Sequence, residues 1–191
     1  MRLSIRAHDL GVNGLDNVID RLNTFCLDGA QMVAYKVIPE ARYEKCGITE
    51  ELARQINSAF TKANKQVVLI GAYFNPIHSN VDKAQRGKDV FKDYLAMSSI
   101  IGCNVVASET GSYNDDLWTY NIRNRTDYAL NKVVETFSEL ADYGQGYNAS
   151  VGIEGAYGHV CYCVERLNEA IKSINKSNTK VVFDLYNYLS C

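Results

Sequence analysis

The sequence predicts an α/β protein in which strand and helix alternate from end to end, arranged as a (β/α) barrel-type domain. Two observations carry the fold class. Six short runs are apolar on successive residues, as parallel strands covered on both faces are. Between them lie five segments whose apolar residues recur every three or four positions. A third observation favours a barrel over an open doubly wound sheet. Polar residues stand at the carboxyl ends of the strands, at His8-Asp9, Asn75 to His78, Glu109, Glu154 and Asp184, where a barrel builds its site. The loop after the first strand, Leu10-Gly11-Val12-Asn13-Gly14, is neither GxGxxG nor a P-loop, so nucleotide binding has little support.

In chain order, the strands are read over 2–7, 31–38, 66–73, 103–108, 149–153 and 180–184. The first helix carries Leu15, Val18, Ile19, Leu22 and Phe25 on one stripe. The second follows a Thr49 cap, with Leu52, Ile56 and Phe60 inward. The third uses Val90, Phe91, Tyr94, Leu95 and Ile101, and Gly102 is placed to end it. Ala129, Val133, Val134, Phe137 and Leu140 mark the fourth; Cys163, Val164, Leu167 and Ile171 mark the fifth. Both prolines, Pro39 and Pro76, follow strands. No linker, low-complexity tract or short repeat interrupts the pattern.

Composition narrows the function classes. The 13 Tyr and 6 Phe exclude disorder as the main state. No apolar run approaches the roughly 18 residues of a spanning helix. The start, from Met1 to Asp9, lacks an apolar signal core, so a cytoplasmic protein without membrane contact is expected. Twenty basic residues against 22 acidic ones leave a net charge of −2, which makes no electrostatic case for nucleic acid. Cys26, Cys46, Cys103, Cys161, Cys163 and Cys191 form no CxxC and are read as reduced, mostly buried thiols.

The chemistry concentrates on two carboxylates. Glu154 ends the run Val151-Gly152-Ile153-Glu154, and Asp184 ends Val181-Val182-Phe183-Asp184. Neighbouring parallel strands lie about 4.8 Å apart, so such groups can converge on one divalent cation through hard oxygen ligands. The plainer alternative, that each carboxylate caps the helix that follows it, is less favoured, and least for the pair together.

Four segments then share a pattern: Gly71-Ala72-Tyr73-Phe74-Asn75-Pro76-Ile77-His78, Ala107-Ser108-Glu109-Thr110-Gly111-Ser112, Val151-Gly152-Ile153-Glu154 with His159 beyond it, and Phe183-Asp184-Leu185-Tyr186-Asn187. In this order and spacing they resemble the sugar phosphate isomerase/epimerase family of xylose isomerase-like TIM barrels, related to endonuclease IV. The resemblance implies a (β/α)8 fold, present here as an incomplete barrel of about six parallel strands with five to six helices in one domain over 1–191. It implies a divalent cation, manganese first, with magnesium, cobalt or zinc as alternatives. Glu154 and Asp184 match the first two of four family ligands; the later His and Glu have no counterpart here. It implies proton transfer beside the carbonyl of a sugar or sugar phosphate through an enediolate, with Glu154 as catalytic acid/base. The 191 residues alone are then expected to be inactive. A longer parent chain or a homo-oligomer is expected to cover the open sheet edges.

Around those two carboxylates, His8, His78, Glu109, His159, Asn187 and Trp118 are candidate substrate-binding residues. Tyr73 and Tyr157 are expected in loops on the same face, stacking on a sugar or packing the core. Glu109 stands where endonuclease-like relatives carry a metal-binding His, and Asn187 where many sugar epimerases carry a His; both departures leave the substrate contacts open. No phosphate-binding element is legible. A binding or assembly protein without catalysis is the alternative. A DNA-repair nuclease is disfavoured by the acidic balance.

Overall fold

The structure is a computed structural model that describes residues 2–41 and 47–189. Six strands form one sheet in the order β1-β2-β3-β4-β5-β6. They are β1 (Ser4–Arg6), β2 (Gly29–Met32), β3 (Gln66–Gly71), β4 (Val105–Glu109), β5 (Ser150–Glu154) and β6 (Thr179–Val182). Every neighbouring pair is parallel, so each connection is a crossover. The crossovers carry α1 (Leu15–Thr24), α2 (Ala34–Val37), α3 (Glu50–Lys62), α4 (Val81–Ile101), α5 (Asp127–Gln145) and α6 (Val164–Ile174). Among the described residues β1 and β6 each have one strand partner, so the sheet is not closed. The architecture is that of an incomplete barrel.

The five expected helical stripes fall on α1, α3, α4, α5 and α6 and supply their buried residues, except that Phe25, just past α1, and Val164, at the start of α6, are exposed because each stands at a helix end beyond the packed face. Between α4, α5 and the sheet lies an aromatic cluster. Phe91 and Phe137 are fully buried, and Phe74 packs edge-on to Phe91 with centroids 5.9 Å apart. Gly102 ends α4 in the left-handed region (φ +84°), where glycine is least strained. Thr49 Oγ1 accepts from the Leu52 amide at 3.2 Å and caps α3. Thr49→Ala is expected to cost about 1 kcal/mol in urea unfolding; an unchanged midpoint would show that the cap carries no stability.

The structure departs from the expected strands in one place of consequence. The run 31–38 is not one strand. β2 occupies Gly29–Met32, and Ala34–Val37 turns into the single helical turn α2. Met32, Val33, Ala34, Val37 and Ile38 are all buried. A short, mostly buried run reads alike as strand or helical turn, and periodicity cannot separate them. The other strands keep their places with ends shifted by at most two residues; β1 stops early because Ala7–Leu10 coil into a 3-10 turn before Gly11. Burial on both faces holds for β4 and β5. The edge strand β6 leaves Val181 half exposed.

Cys26, Cys103, Cys161 and Cys163 are free thiols, of which Cys103 and Cys161 are buried; Cys46 and Cys191 lie outside the described residues. Among the described residues no helix is long and apolar enough to cross a membrane.

Candidate functional site

A parallel sheet collects the carboxyl ends of all its strands at one mouth. A cavity of about 620 Å³ opens there. Of the eight residues singled out in the sequence, His8, His78, Glu109, Trp118, Glu154 and Asn187 line it; Asp184 and His159 do not.

Glu154, 6% exposed, ends β5 and forms the floor. The Tyr73 hydroxyl donates to its Oε2 at 2.7 Å, and Asn187 Nδ2 donates to its Oε1 at 2.8 Å. Gln31 Nε2 in turn donates to the Tyr73 oxygen at 2.7 Å. The chain Gln31, Tyr73, Glu154, Asn187 thus crosses the mouth from β2 to beyond β6. Burial raises the Glu154 pKa, against the lowering effect of the Tyr73 hydrogen bond. Burial also pushes up the Tyr73 hydroxyl, which stays protonated and a donor.

Glu109 is the register partner of Glu154 across β4 and β5, so their side chains leave the sheet on the same side. Glu109 makes no hydrogen bond with the described residues. Burial, with the neighbouring Glu154 charge, pushes its pKa up to about 7. Two carboxyl groups side by side in a half-dry cavity give an acid and a base at neutral pH.

The remaining candidates divide into those that face the cavity and those that hold the ones that do. His8 follows β1; burial, and then Lys36, lower its pKa, so the imidazole is neutral. His78 accepts from the Asn80 amide at Nδ1 (2.9 Å), and its Nε2 lies 3.1 Å from Asp116, which assigns the proton to Nε2. Trp118 sits on a loop with φ +53°. His159, 4% exposed, hydrogen-bonds the Trp118 carbonyl through Nε2 at 3.1 Å and packs edge-on to the indole at 5.4 Å. It positions the tryptophan from below. Asp184 Oδ1 accepts from the Tyr186 amide at 2.9 Å and shapes the turn that presents Asn187. Tyr157, 45% exposed, lies outside the cavity.

Tyr73 is a contact the sequence left undecided, and Gln31 one it did not single out. A signal for Tyr73 existed. A Cβ on Gly71 would meet the Tyr73 ring at 2.6 Å, so the glycine two positions earlier makes room for it. Asn75, 6% exposed, ties the β3 and β4 loops together: its Nδ2 donates to the Ser112 and Asp115 carbonyls, and its Oδ1 accepts from the Ile77 and Ser112 amides.

For a divalent cation the chain offers Glu154 and Asp184. Both Glu154 oxygens already accept hydrogen bonds, and among the described residues no group of three or more His, Cys, Asp or Glu side chains could hold a metal. The described residues therefore do not complete a metal site.

Comparison with known proteins places the chain. A family model described as xylose isomerase-like TIM barrel matches residues 14–190. A search of curated proteins finds no match. Among solved structures, the IOLI protein with a bound zinc atom superposes with a TM-score of 0.76 at 14% identity, covering 98% of this chain and 64% of that one. A D-tagatose 3-epimerase-like protein gives 0.74 at 16%, covering 98% and 66%. A xylose isomerase-like TIM barrel protein from Mycobacterium smegmatis in complex with magnesium gives 0.71 at 11%, covering 97% and 65%. The chain spans 26% of a xylose isomerase-like TIM barrel/4-hydroxyphenylpyruvate dioxygenase fusion protein. At these identities the likeness is one of fold, and the chain spans less than two-thirds of each of these chains' length.

Proposed function

The chain belongs to the xylose isomerase-like TIM barrel family, and on that premise we propose that it carries the proton-transfer face of a sugar isomerase or epimerase. The observation that supports this is the Glu109–Glu154 pair at the strand ends, joined through Glu154 to Tyr73 and Asn187. Ionised Glu154 takes a proton from the carbon beside a ketose carbonyl. Glu109, protonated in part at neutral pH, hydrogen-bonds the oxygen that becomes negative, so the charge forms against a fixed donor. Tyr73 and Asn187 hold the Glu154 carboxylate in one orientation. Glu154 and Asp184 are the oxygen ligands this chain offers a divalent cation, manganese first, which would polarise the carbonyl; further ligands must come from outside these residues. We infer that the 191 residues alone do not turn a ketose over.

Among the neighbours, a D-psicose 3-epimerase solved in the presence of D-fructose and an L-ribulose 3-epimerase support a ketose as substrate class. Reading the coding sequence past the Cys191 codon tests the proposal first. Two further strand–helix units, with a His and then a Glu at the strand ends, are expected. That longer chain should exchange the proton next to a ketose carbonyl with D2O, and Glu154→Gln should abolish the exchange. A stop codon directly after Cys191 would overturn the catalytic reading for this product. It would leave a sugar-binding or assembly protein, the reading favoured by the incomplete ligand set among the described residues.

A further inference from the structure

Glu109 and Glu154 close β4 and β5, and the loops that follow these two strands run side by side at the mouth. The first loop carries Trp118 and Tyr120, the second Tyr157 and His159. Polar contacts join the loops: Asn124 Nδ2 donates to the Gly158 carbonyl at 2.8 Å, and His159 meets the Trp118 carbonyl. Gly158 lies against Thr119 and Tyr120, where a Cβ would meet the Tyr120 amide nitrogen at 3.3 Å. The Tyr157 amide donates to the carbonyl of Asn187, whose side chain lines the cavity, at 2.7 Å. Arg125 stands behind the two outer rings. Its guanidinium carbon lies 5.2 Å from the ring centres of both Tyr120 and Tyr157, and 3.4 Å from that of Tyr162. Its Nη2 donates to the Tyr157 carbonyl at 2.9 Å, and its Nη1 is buried with no hydrogen-bond partner among the described residues. Among those residues no carboxylate pairs with it, so ring faces hold this cation. Tyr120 and Tyr157 still stay 47% and 45% exposed, each with one face toward Arg125 and the other open.

Two half-exposed tyrosine rings fixed from behind offer a broad apolar face, with hydroxyls at its edge, at little further loss of side-chain freedom. That face suits a saturated sugar ring, which presents C–H bonds on its flat sides and hydroxyls around its rim. Three observations join its occupant to what the cavity holds. Trp118 lines the cavity and stands two residues from Tyr120. The strands that carry the platform loops end in the acid pair, so a ketose on that pair lies beneath the platform. The cavity, about 620 Å³, also exceeds one sugar: even at water's share of roughly 30 Å³ per heavy atom, the twelve heavy atoms of a hexose fill about 360 Å³. We propose that Tyr120 and Tyr157, braced by Arg125, form an outer sugar subsite, and that the ketose this site takes carries a second sugar ring through a glycosidic bond. This rests on the ketose reading above and deepens its substrate class.

Trp118 is the chain's one tryptophan, so its fluorescence reports binding at the cavity without any need for turnover. The full 191-residue chain would be titrated with D-fructose, lactulose (D-fructose bearing a galactosyl ring), lactose (the aldose isomer) and phenyl β-D-galactopyranoside. The variants are Tyr120→Ala, Tyr157→Ala, Tyr120→Phe and Tyr157→Phe. Tyr147→Ala, between α5 and β5 at the end of the sheet away from the mouth, is the control. Both platform rings are half exposed, so these variants should keep the fold, checked by circular dichroism. Lactulose is expected to bind at least about ten-fold more tightly than D-fructose. Each Ala variant should remove most of that preference, each Phe variant should retain it, and Tyr147→Ala should leave it unchanged. Equal binding of lactulose and D-fructose, or a preference that survives both Ala variants, would overturn the outer subsite while the ketose reading stood. Lactose bound as tightly as lactulose, with the same dependence on the tyrosines, would keep the subsite and remove the ketose reading. Tighter, tyrosine-dependent binding of the phenyl galactoside would assign the platform to an apolar aglycone and overturn the second sugar ring. Self-association that Tyr157→Ala abolishes, read by sedimentation, would assign it to a second copy and overturn the proposal. Failure of all four sugars to bind would overturn both readings.

Discussion

Glu109→Gln is expected to stabilise the protein at pH 8 by about 3 kcal/mol and at pH 5 by less than about 1 kcal/mol, with chelator present. The Glu109 pKa is near 7 in the folded chain against an ordinary value of 4.5. Between those values the folded state holds a proton that the unfolded state has released. Folding stability therefore falls as pH rises through this window, and the loss is complete above about pH 7. Each unit of difference corresponds to about 1.4 kcal/mol. Glu154, also raised, adds in the same direction. Glutamine has the shape of the protonated acid and cannot ionise, so the variant escapes the Glu109 share of the loss. Urea unfolding of both proteins at pH 5 and pH 8 measures it; parallel pH dependences would mean that Glu109 is not held in an unfavourable setting. A stabilising substitution at the mouth is what a functional carboxyl predicts, because such groups are kept where folding alone would not put them.

Asn75→Ala is expected to cost about 3–5 kcal/mol and to loosen the mouth. The side chain is buried and satisfies four backbone groups of two loops: the Ile77 and Ser112 amides and the Ser112 and Asp115 carbonyls. Alanine leaves these without their partner, and each buried orphan costs on the order of 1–3 kcal/mol. The contact is tight enough that Gly111, at φ +73°, has no room for a Cβ, which would fall 2.1 Å from Asn75 Oδ1. Asp115, released with the loop, is also the acceptor for Ser79. Faster amide exchange over 75–79 and 112–116, together with a lower unfolding midpoint, is the expected result. A midpoint within about 1 kcal/mol of wild type would show that water replaces the lost bonds.

The candidate site was legible in the sequence to the extent that strand ends were. Glu109 and Glu154 could be named because each closes an apolar run, and the parallel direction of the sheet then puts both at one mouth. Asp184 was read by the same rule, and His159 from the family resemblance of the segment beyond Glu154. Neither lines the cavity: His159 holds Trp118 and Asp184 the turn of Asn187, because a side chain just past a strand can turn to the ligand or to its own loop. The hydrogen-bond chain from Gln31 through Tyr73 was not legible, since it joins residues 42 and 81 positions apart.

By itself, the sequence determined the class of fold, the order of its elements and the caps at Thr49 and Gly102. These follow from local periodicity and from conformations that few residues adopt. Only the tertiary structure decided that 31–38 breaks into a strand and a helical turn, and so that Lys36 stands over the cavity. Only it paired Glu109 with Glu154 in register and raised both acids. The physical reason is the same in each case. Burial, register and desolvation depend on which distant elements pack against a residue, and no local pattern of apolar and polar residues records that.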